Sequence, residues 1–187
     1  MVRSGIKASH PLVQQLRFTR SEFKRGLKGL SEAEAGKRFL PMNCIAWNVG
    51  HLAWQEQRYF LFYAQGQMLL PEVNKLFAYG APASTPCLDD MRTAWSAVTQ
   101  AADPWLDALT TEMLLQNVVR DGKTTAYIFG SLLQRVIYHY WYHTGENLAI
   151  RQMLGHVDLP EFVGDIDGEA PYRSEWGKSL DDPYEDS

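Results

Sequence analysis

The chain has 187 residues, of which 45% are hydrophobic, 21% charged and 12% aromatic, a composition typical of one soluble globular domain. Its formal net charge of −4 argues against a general nucleic-acid-binding protein, which would need a basic surface. The apolar runs are shorter than the roughly 20 residues that span a membrane, and no basic-then-apolar segment opens the chain. Two cysteines, Cys44 and Cys87, are too few for a disulfide framework or a Cys-x-x-Cys metal site. We therefore expect a cytoplasmic protein with no membrane or nucleic-acid partner.

The first half of the chain predicts two helices and a long connection. The first helix begins near Pro11 and carries apolar residues at helical spacing, namely Leu12, Leu16, Phe23, Leu27 and Leu30. Asn43 is the predicted N-cap of the second helix, which ends near Gly66 and places on its apolar face Ile45, Leu52, Tyr59 and Phe62. Residues 66–87 contain three Pro and two Gly, which predicts a long connection.

Two further helices are predicted in the second half. The third starts after Cys87, with acidic residues in its first turn, and the Asp103-Pro104 pair is expected to kink or stop it. Within residues 110–123, the sequence before Asp121-Gly122 suggests a short extended excursion. The fourth helix is capped by Thr124 or Thr125 and stops at Gly155, giving about 30 residues. Four long helices predict an all-α bundle.

Charge is unevenly distributed along the chain. Residues 1–30 carry seven Lys or Arg and one acid, whereas residues 157–187 carry ten acids and two basic residues. We therefore divide the chain into a helical bundle at 1–156 and an acidic, irregular C-terminal tail at 157–187 that packs on or beside the bundle. Either both ends are partner surfaces, or the tail lies across the basic first helix of the same molecule.

His139 and His143 stand four residues apart, a spacing that stacks two imidazoles on one helix face and can grip one metal ion. The same spacing also suits two ordinary histidines. The residue after His139 is Tyr140 rather than the Glu of an HExxH zincin, and no Glu-x-x-His occurs, which excludes a ferritin-like di-iron site.

A third histidine, His51, favours the metal site over two ordinary histidines. Its neighbours at helical spacing are Trp47, Asn48, Trp54 and Gln55, so the imidazole would lie among large rings and needs a polar partner. Beside a helix that offers His139 and His143, it could complete a three-histidine site with an open position, as in catalytic zinc or nickel centres.

These motifs resemble those of the DinB-like superfamily, also called DinB/YfiT-like. The segment from Ile45 to His51 resembles the family's first motif, an aromatic, a small residue and a histidine opening the second helix. His139 to His143 followed by Thr144-Gly145-Glu146 resembles the second motif, with Glu146 in place of the commoner Gln, and Met153-Leu154-Gly155 matches the trailing pattern. The resemblance spans about residues 10–156, and the tail from 157 lies outside it.

The resemblance implies a four-helix bundle of up-down-down-up order, a divalent metal held by His51, His139 and His143, and frequent homodimerisation. Characterised relatives include thiol-dependent transferases and isomerases, in which the metal is thought to activate a cofactor thiol as a thiolate. That chemistry agrees with the ability of a metal to lower the pKa of a bound thiol or water.

Several other residues are weaker candidates. Trp47, Gln55, Arg58 and Tyr142 could line a pocket, while Arg135 and Glu146 could support the ligands or form an exposed ion pair. His10 is expected on the surface, and His156 near a helix end where a cation suits the dipole. Cys44 is expected to be a buried core thiol about 10 Å along the helix from His51.

The sequence therefore predicts a divalent-metal-dependent enzyme, with zinc or nickel as the metal, acting on a small molecule. A water or a low-molecular-weight thiol at the open position would serve hydrolysis or thiol S-transfer. Only Glu146 and Glu56 lie near the histidines in sequence, and the absence of a clear general base favours transfer. The alternative is a bundle that binds metal, or a protein partner, without turnover.

Overall fold

The computed structural model describes residues 9–172. Their helices are α1 (Pro11–Gly26), α2 (Glu32–Ala35), α3 (Ile45–Glu56), α4 (Pro71–Leu76), α5 (Leu88–Ala108), α6 (Thr111–Leu114), α7 (Phe129–Met153) and α8 (Ile166–Glu169). A π-helix, Gln57–Tyr63, continues α3, and a two-stranded antiparallel hairpin joins β1 (Asn117–Arg120) to β2 (Lys123–Ile128). The prediction of an all-α bundle is confirmed. No helix in this part of the chain is long and apolar enough to cross a membrane.

Four long helices enclose the core. Helix α3 packs mainly against α5, α1 packs mainly against α7, and α3 also contacts α7. Every residue of α3 is buried, including four polar residues, Asn48, His51, Gln55 and Glu56. The contact between α3 and α7 is the one that positions the predicted site, since these helices carry its three histidines.

A buried polar network ties these four helices together. Arg20 on α1 forms a two-pronged ion pair with Glu56 on α3, in which its Nε lies 2.8 Å from Glu56 Oε1, and it also bonds Asp103 on α5 at 2.8 Å. Tyr140 on α7 donates to Glu56 Oε1 at 2.6 Å and accepts from Trp95 Nε1 at 2.5 Å. Burial and the adjacent Glu56 carboxylate raise the pKa of Tyr140 well above its usual value, so its hydroxyl keeps the proton that it donates.

Several predicted helix boundaries are wrong. The N-cap of α3 is Cys44 rather than Asn43, and α5 passes through Pro104 to end at Ala108. Pro104 does not stop the helix because it lies on the exposed face, where water can satisfy the carbonyl that it leaves without a partner, while Leu106 beyond it is fully buried. The predicted ends near Gly66 and at Gly155, and the start of α5 after Cys87, are confirmed.

The start of the fourth long helix was also predicted wrongly. Thr124 and Thr125 lie in β2, the N-cap of α7 is Ile128, and α7 has 25 residues. The predicted extended excursion is a hairpin whose turn is Asp121-Gly122, both with positive φ (50° and 71°). The second strand of this hairpin therefore contains the residues that were predicted to begin the fourth helix. The 66–87 connection likewise contains α4.

Helical phase is lost after Glu56. The predicted core residue Phe62 is 45% exposed, whereas its neighbours Phe60 and Leu61 are buried. A π-helix has more residues per turn than an α-helix, so the 3.6-residue period that holds through α3 no longer applies in Gln57–Tyr63.

The described part of the C-terminal segment lies against α1. Arg25 donates to the backbone carbonyl of Glu161, and the buried Glu22 carboxylate accepts from the Gly164 amide at 2.9 Å and pairs with Arg25 at 2.6 Å. Gln15 Nε2 donates to the Ala170 carbonyl at 2.7 Å. Residues 173–187, which carry the rest of the predicted acidic tail, lie outside the described part of the chain.

Candidate metal centre

Helices α3 and α7 bring His51, His139 and His143 together. His139 and His143 stand one turn apart on α7, with ring centroids 4.5 Å apart, and His51 approaches from α3 at 5.0 and 5.4 Å. One nitrogen from each ring lies within 4.8 Å of the others. The structure therefore places all three sequence-predicted ligands in one cluster.

His51 is fixed by two rings and one carbonyl. It stacks between Trp47 and Trp54, with ring centroids at 4.8 and 5.0 Å. Its Nδ1 lies 2.6 Å from the backbone oxygen of Phe77. Because a carbonyl can only accept, Nδ1 carries the proton and Nε2 presents a lone pair.

His143 is held in the same tautomer by a carboxylate. Its Nδ1 lies 2.6 Å from Glu146 Oε2, which also accepts from Asn48 Nδ2 at 3.0 Å. With the proton on Nδ1, the lone pair of His143 is on Nε2, which faces Nε2 of His139 at 3.0 Å. Glu146 thus supports a candidate ligand from behind, the arrangement that metal-binding histidines usually show.

His139 faces its two partners with little other polar contact. Its Nδ1 is buried and has no hydrogen-bond partner within residues 9–172, and its ring stacks on Tyr142 with centroids 6.4 Å apart. The polar environment of this imidazole is therefore provided chiefly by the other two histidines.

The cluster favours neutral imidazoles. Burial, opposed by the hydrogen bond to Phe77, lowers the pKa of His51 to about 4. Burial and the neighbouring His143 lower the pKa of His139 to about 3. At neutral pH both rings hold unprotonated nitrogens, the form that binds metal ions.

The donor set fits a divalent metal ion. Two nitrogens that bind one ion at about 2.0–2.1 Å, with an angle of about 90–110° at the ion, are about 2.8–3.4 Å apart. His139 Nε2 and His143 Nε2 are 3.0 Å apart. Three imidazoles leave a further coordination position open, and they suit zinc or nickel among other divalent ions.

The lowered pKa values predict acid sensitivity of the metal-free protein. Below pH 6.5 the unfolded chain takes up protons at His51 and His139, whereas the folded protein does so only near pH 3–4. The free energy of unfolding should therefore fall by about 1–2 kcal/mol per histidine between pH 7.5 and pH 5. Urea unfolding at the two pH values measures this fall. In His139→Gln the fall should be smaller, and an equal fall in both proteins would contradict the assignment.

Gly50, next to His51, allows the connection to approach α3. A Cβ at Gly50 would lie 2.7 Å from Met91 Sδ and 2.9 Å from the Phe77 ring. Gly50→Ala should displace Phe77, whose carbonyl orients His51, and weaken metal binding about tenfold or more. Competition with a chelator of known affinity measures this loss.

Gly145→Ala is the matched control for that variant. Gly145 lies in the helix that carries His143, and an added Cβ meets nothing within 4 Å. It should raise stability by about 0.5–1 kcal/mol and leave metal affinity unchanged. Equal affinities in both variants and the wild type would contradict the role of Phe77.

A cavity of about 720 Å³ opens beside His51 and His139. Three of the predicted pocket residues, Gln55, Arg58 and Tyr142, line it together with Arg135. Trp47 does not line this cavity; it covers the far face of His51.

Sequence analysis missed several lining residues. Ser131, Gln134 and Tyr138 share with His139 one face of α7, so their helical spacing could have identified them. Tyr79 comes from the connection between α4 and α5, and no sequence pattern indicated it.

The remaining candidates lie elsewhere. His10 is partly exposed and is the N-cap of α1, where its Nδ1 accepts from the Leu12 amide. His156 bridges Arg151 and Glu34 at 3.0 and 2.9 Å.

The thiol of Cys44 and the carboxylate of Glu56 are close to His51 in sequence, but each has an environment of its own. Cys44 is a buried core thiol, as predicted, and Glu56 belongs to the buried ion pair with Arg20.

The all-α bundle brings three histidines together beside an open cavity, and this cluster could hold a metal ion. The sequence pattern of the DinB superfamily matches residues 15–146, and the chain belongs to this superfamily. No curated protein gives a significant match.

Proposed function

We propose that the protein is a divalent-metal-dependent enzyme in which His51, His139 and His143 hold zinc or nickel. The observation that carries this proposal is the convergence of three imidazole nitrogens within 4.8 Å beside an open cavity. When bound, the metal would lower the pKa of a water or a low-molecular-weight thiol at neutral pH.

The surrounding residues prepare the cluster for that role. Phe77 and Glu146 hold protons on Nδ1 of His51 and His143, so both Nε2 lone pairs stay available. Trp47 and Trp54 cover both faces of His51 and exclude water from it. The His139 and His143 nitrogens are already at a suitable separation of 3.0 Å, and the three imidazoles, whose nitrogens lie within 4.8 Å of one another, would draw together around an ion.

The cavity favours thiol S-transfer over hydrolysis. Hydrolysis is normally assisted by a general base within hydrogen-bond reach of the attacking water. None of the cavity-lining residues in the described part of the chain is an Asp or Glu, and Glu146 is engaged behind His143. A thiolate held by a metal requires no such base.

The test compares zinc- or nickel-loaded protein with metal-stripped protein, using 2-mercaptoethanol and 1-chloro-2,4-dinitrobenzene. In this reaction the thiol sulfur bonds to the ring carbon, chloride leaves and the thiol proton goes to solvent. Metal-dependent product formation, lost in His51→Ala, is the expected result.

Two other results would redirect the proposal. Metal-dependent cleavage of p-nitrophenyl acetate without a thiol would favour hydrolysis. Bound metal with no turnover of either probe would favour the alternative, a metal-binding bundle without catalysis.

We also propose a cytoplasmic homodimer. Both cysteines are free, which suits a reducing compartment. Exposed aromatic side chains near the cavity could pack in an interface, namely Tyr79, Tyr138 and Tyr142. Light scattering coupled to size-exclusion chromatography would give the mass, and a monomer at micromolar concentration would contradict the dimer.

A further inference from the structure

The described residues that line the cavity beside the histidines carry positive charge and no negative charge. Two arginines, Arg58 on the π-helix and Arg135 on α7, line it, whereas its lining in the described residues includes no carboxylate. The full chain is acidic, with a net charge of −4, and the positive wall is therefore a local feature.

The π-helix holds Arg58 in a fixed position. Arg58 Nε donates to the hydroxyl of Tyr63, five residues later, at 2.7 Å, and five residues is the hydrogen-bonding period of a π-helix. The guanidinium lies 5.3 Å from the ring centroids of both Trp54 and Tyr63. These contacts use one of its five N–H groups and leave its charge without a carboxylate partner in the described chain.

Arg135 lies one turn before His139 on α7, so both side chains lie on the face that lines the cavity. It is exposed, and within residues 9–172 it forms no ion pair. An arginine without a partner at the rim of a cavity is free to bind an anion that enters it.

Gln55 provides an independent indication of a ligand. Its side chain lines the cavity, is only 6% exposed, and makes no hydrogen bond within the described residues, although its Oε1 is fully buried. Buried amides normally have partners, and a small rotation of this side chain toward the cavity would bring its unpaired oxygen to a polar group of a ligand.

We propose that this cavity binds a small molecule that carries a carboxylate on an apolar or aromatic body, with Arg58 and Arg135 holding the carboxylate. Gln55 hydrogen-bonds a neighbouring polar group of the ligand, and the rings of Trp54, Tyr138 and Tyr142 contact its body. The inference extends the proposed function by naming its substrate class, and in this sense it rests on that function.

The test uses metal-stripped protein, because a bound metal could itself attract a carboxylate. Phenylacetate and phenylacetamide have nearly the same shape and differ in charge, and calorimetry gives the affinity of each. We expect phenylacetate to bind about tenfold more tightly than phenylacetamide, and added sodium chloride to weaken phenylacetate alone. Arg135→Gln should remove most of this preference and leave phenylacetamide binding unchanged.

Two further variants keep the test independent of folding defects. Arg58→Lys retains the charge but cannot form the paired contacts of a guanidinium, so it should weaken phenylacetate binding partially. Lys28→Gln removes one positive charge from an exposed position that does not line this cavity, and should change neither affinity.

Three results would overturn the inference: no binding of phenylacetate, equal affinity for both probes, or a preference that survives in both Arg135→Gln and Arg58→Gln. A failure of the metal-dependent thiol assay would overturn the proposed function while leaving this charge preference measurable. The two proposals therefore fail separately.

Discussion

We expect untagged wild-type protein to carry about one zinc or nickel ion per chain and His139→Ala to carry essentially none. The structure gives the physical reason. Removing His139 leaves two nitrogens, on different helices, and takes away the ring whose Nε2 lies 3.0 Å from that of His143. Elemental analysis after gel filtration measures the metal content directly.

The control for this experiment is another histidine. His10→Asn removes an imidazole from the N-cap of α1, and asparagine can still accept a hydrogen bond from the Leu12 amide. This variant should retain its metal. Circular dichroism should show that His139→Ala keeps its helices, and a folded His139→Ala protein with full metal content would contradict the three-histidine site.

The second large effect concerns stability. Glu56→Gln should lower the free energy of unfolding by about 3 kcal/mol, because it removes the buried, two-pronged partner of the Arg20 guanidinium and leaves only the partly exposed Asp103 as its countercharge. The substitution also weakens the acceptor of the Tyr140 hydroxyl. Denaturant unfolding, with the metal removed from both proteins, measures the difference.

An exposed ion pair provides the comparison. Asp89 and Arg92 are paired at 3.2 Å with side chains 75% and 39% exposed, so Asp89→Asn should cost less than about 1 kcal/mol. The double variant Arg20→Met with Glu56→Leu should recover only part of the loss, because it removes both buried charges but leaves the buried Tyr140 hydroxyl without its acceptor. Similar losses in Glu56→Gln and Asp89→Asn would contradict the importance of the buried pair.

Local sequence signals predicted the helices but not the features that depend on tertiary contacts. Gly155 ends α7 as expected because its φ of 88° suits glycine. Thr125 was assigned to a helix cap, yet its hydroxyl bonds the Val118 carbonyl across the hairpin, a contact that only the folded pair of strands creates. Pro104 failed to stop α5 because burial of Leu106 outweighs one lost backbone bond.

Those parts of the candidate site that follow from helical spacing were predictable from the sequence. His139 and His143 share a face by their four-residue spacing, and the ring-rich surroundings of His51 suggested it as a third ligand, which the motif resemblance supported. The Phe77 carbonyl could not be foreseen, since it comes from the connection after α4 and any residue type offers the same oxygen. The orientation of Arg58 could not be predicted either, because it depends on a π-helix, for which the sequence shows no pattern.

A π-helical turn holds one residue more than an α-helical turn, so loss of a single residue within Gln57–Tyr63 could return this segment to α geometry. The bundle would survive such a deletion, and a loss between Arg58 and Tyr63 would leave these residues four apart, a spacing that keeps both side chains on one face of an α-helix. Deletions in helices usually damage the fold, whereas this one would preserve the partner of Arg58. Among related chains, we expect those that lack one residue here to keep the arginine–tyrosine contact.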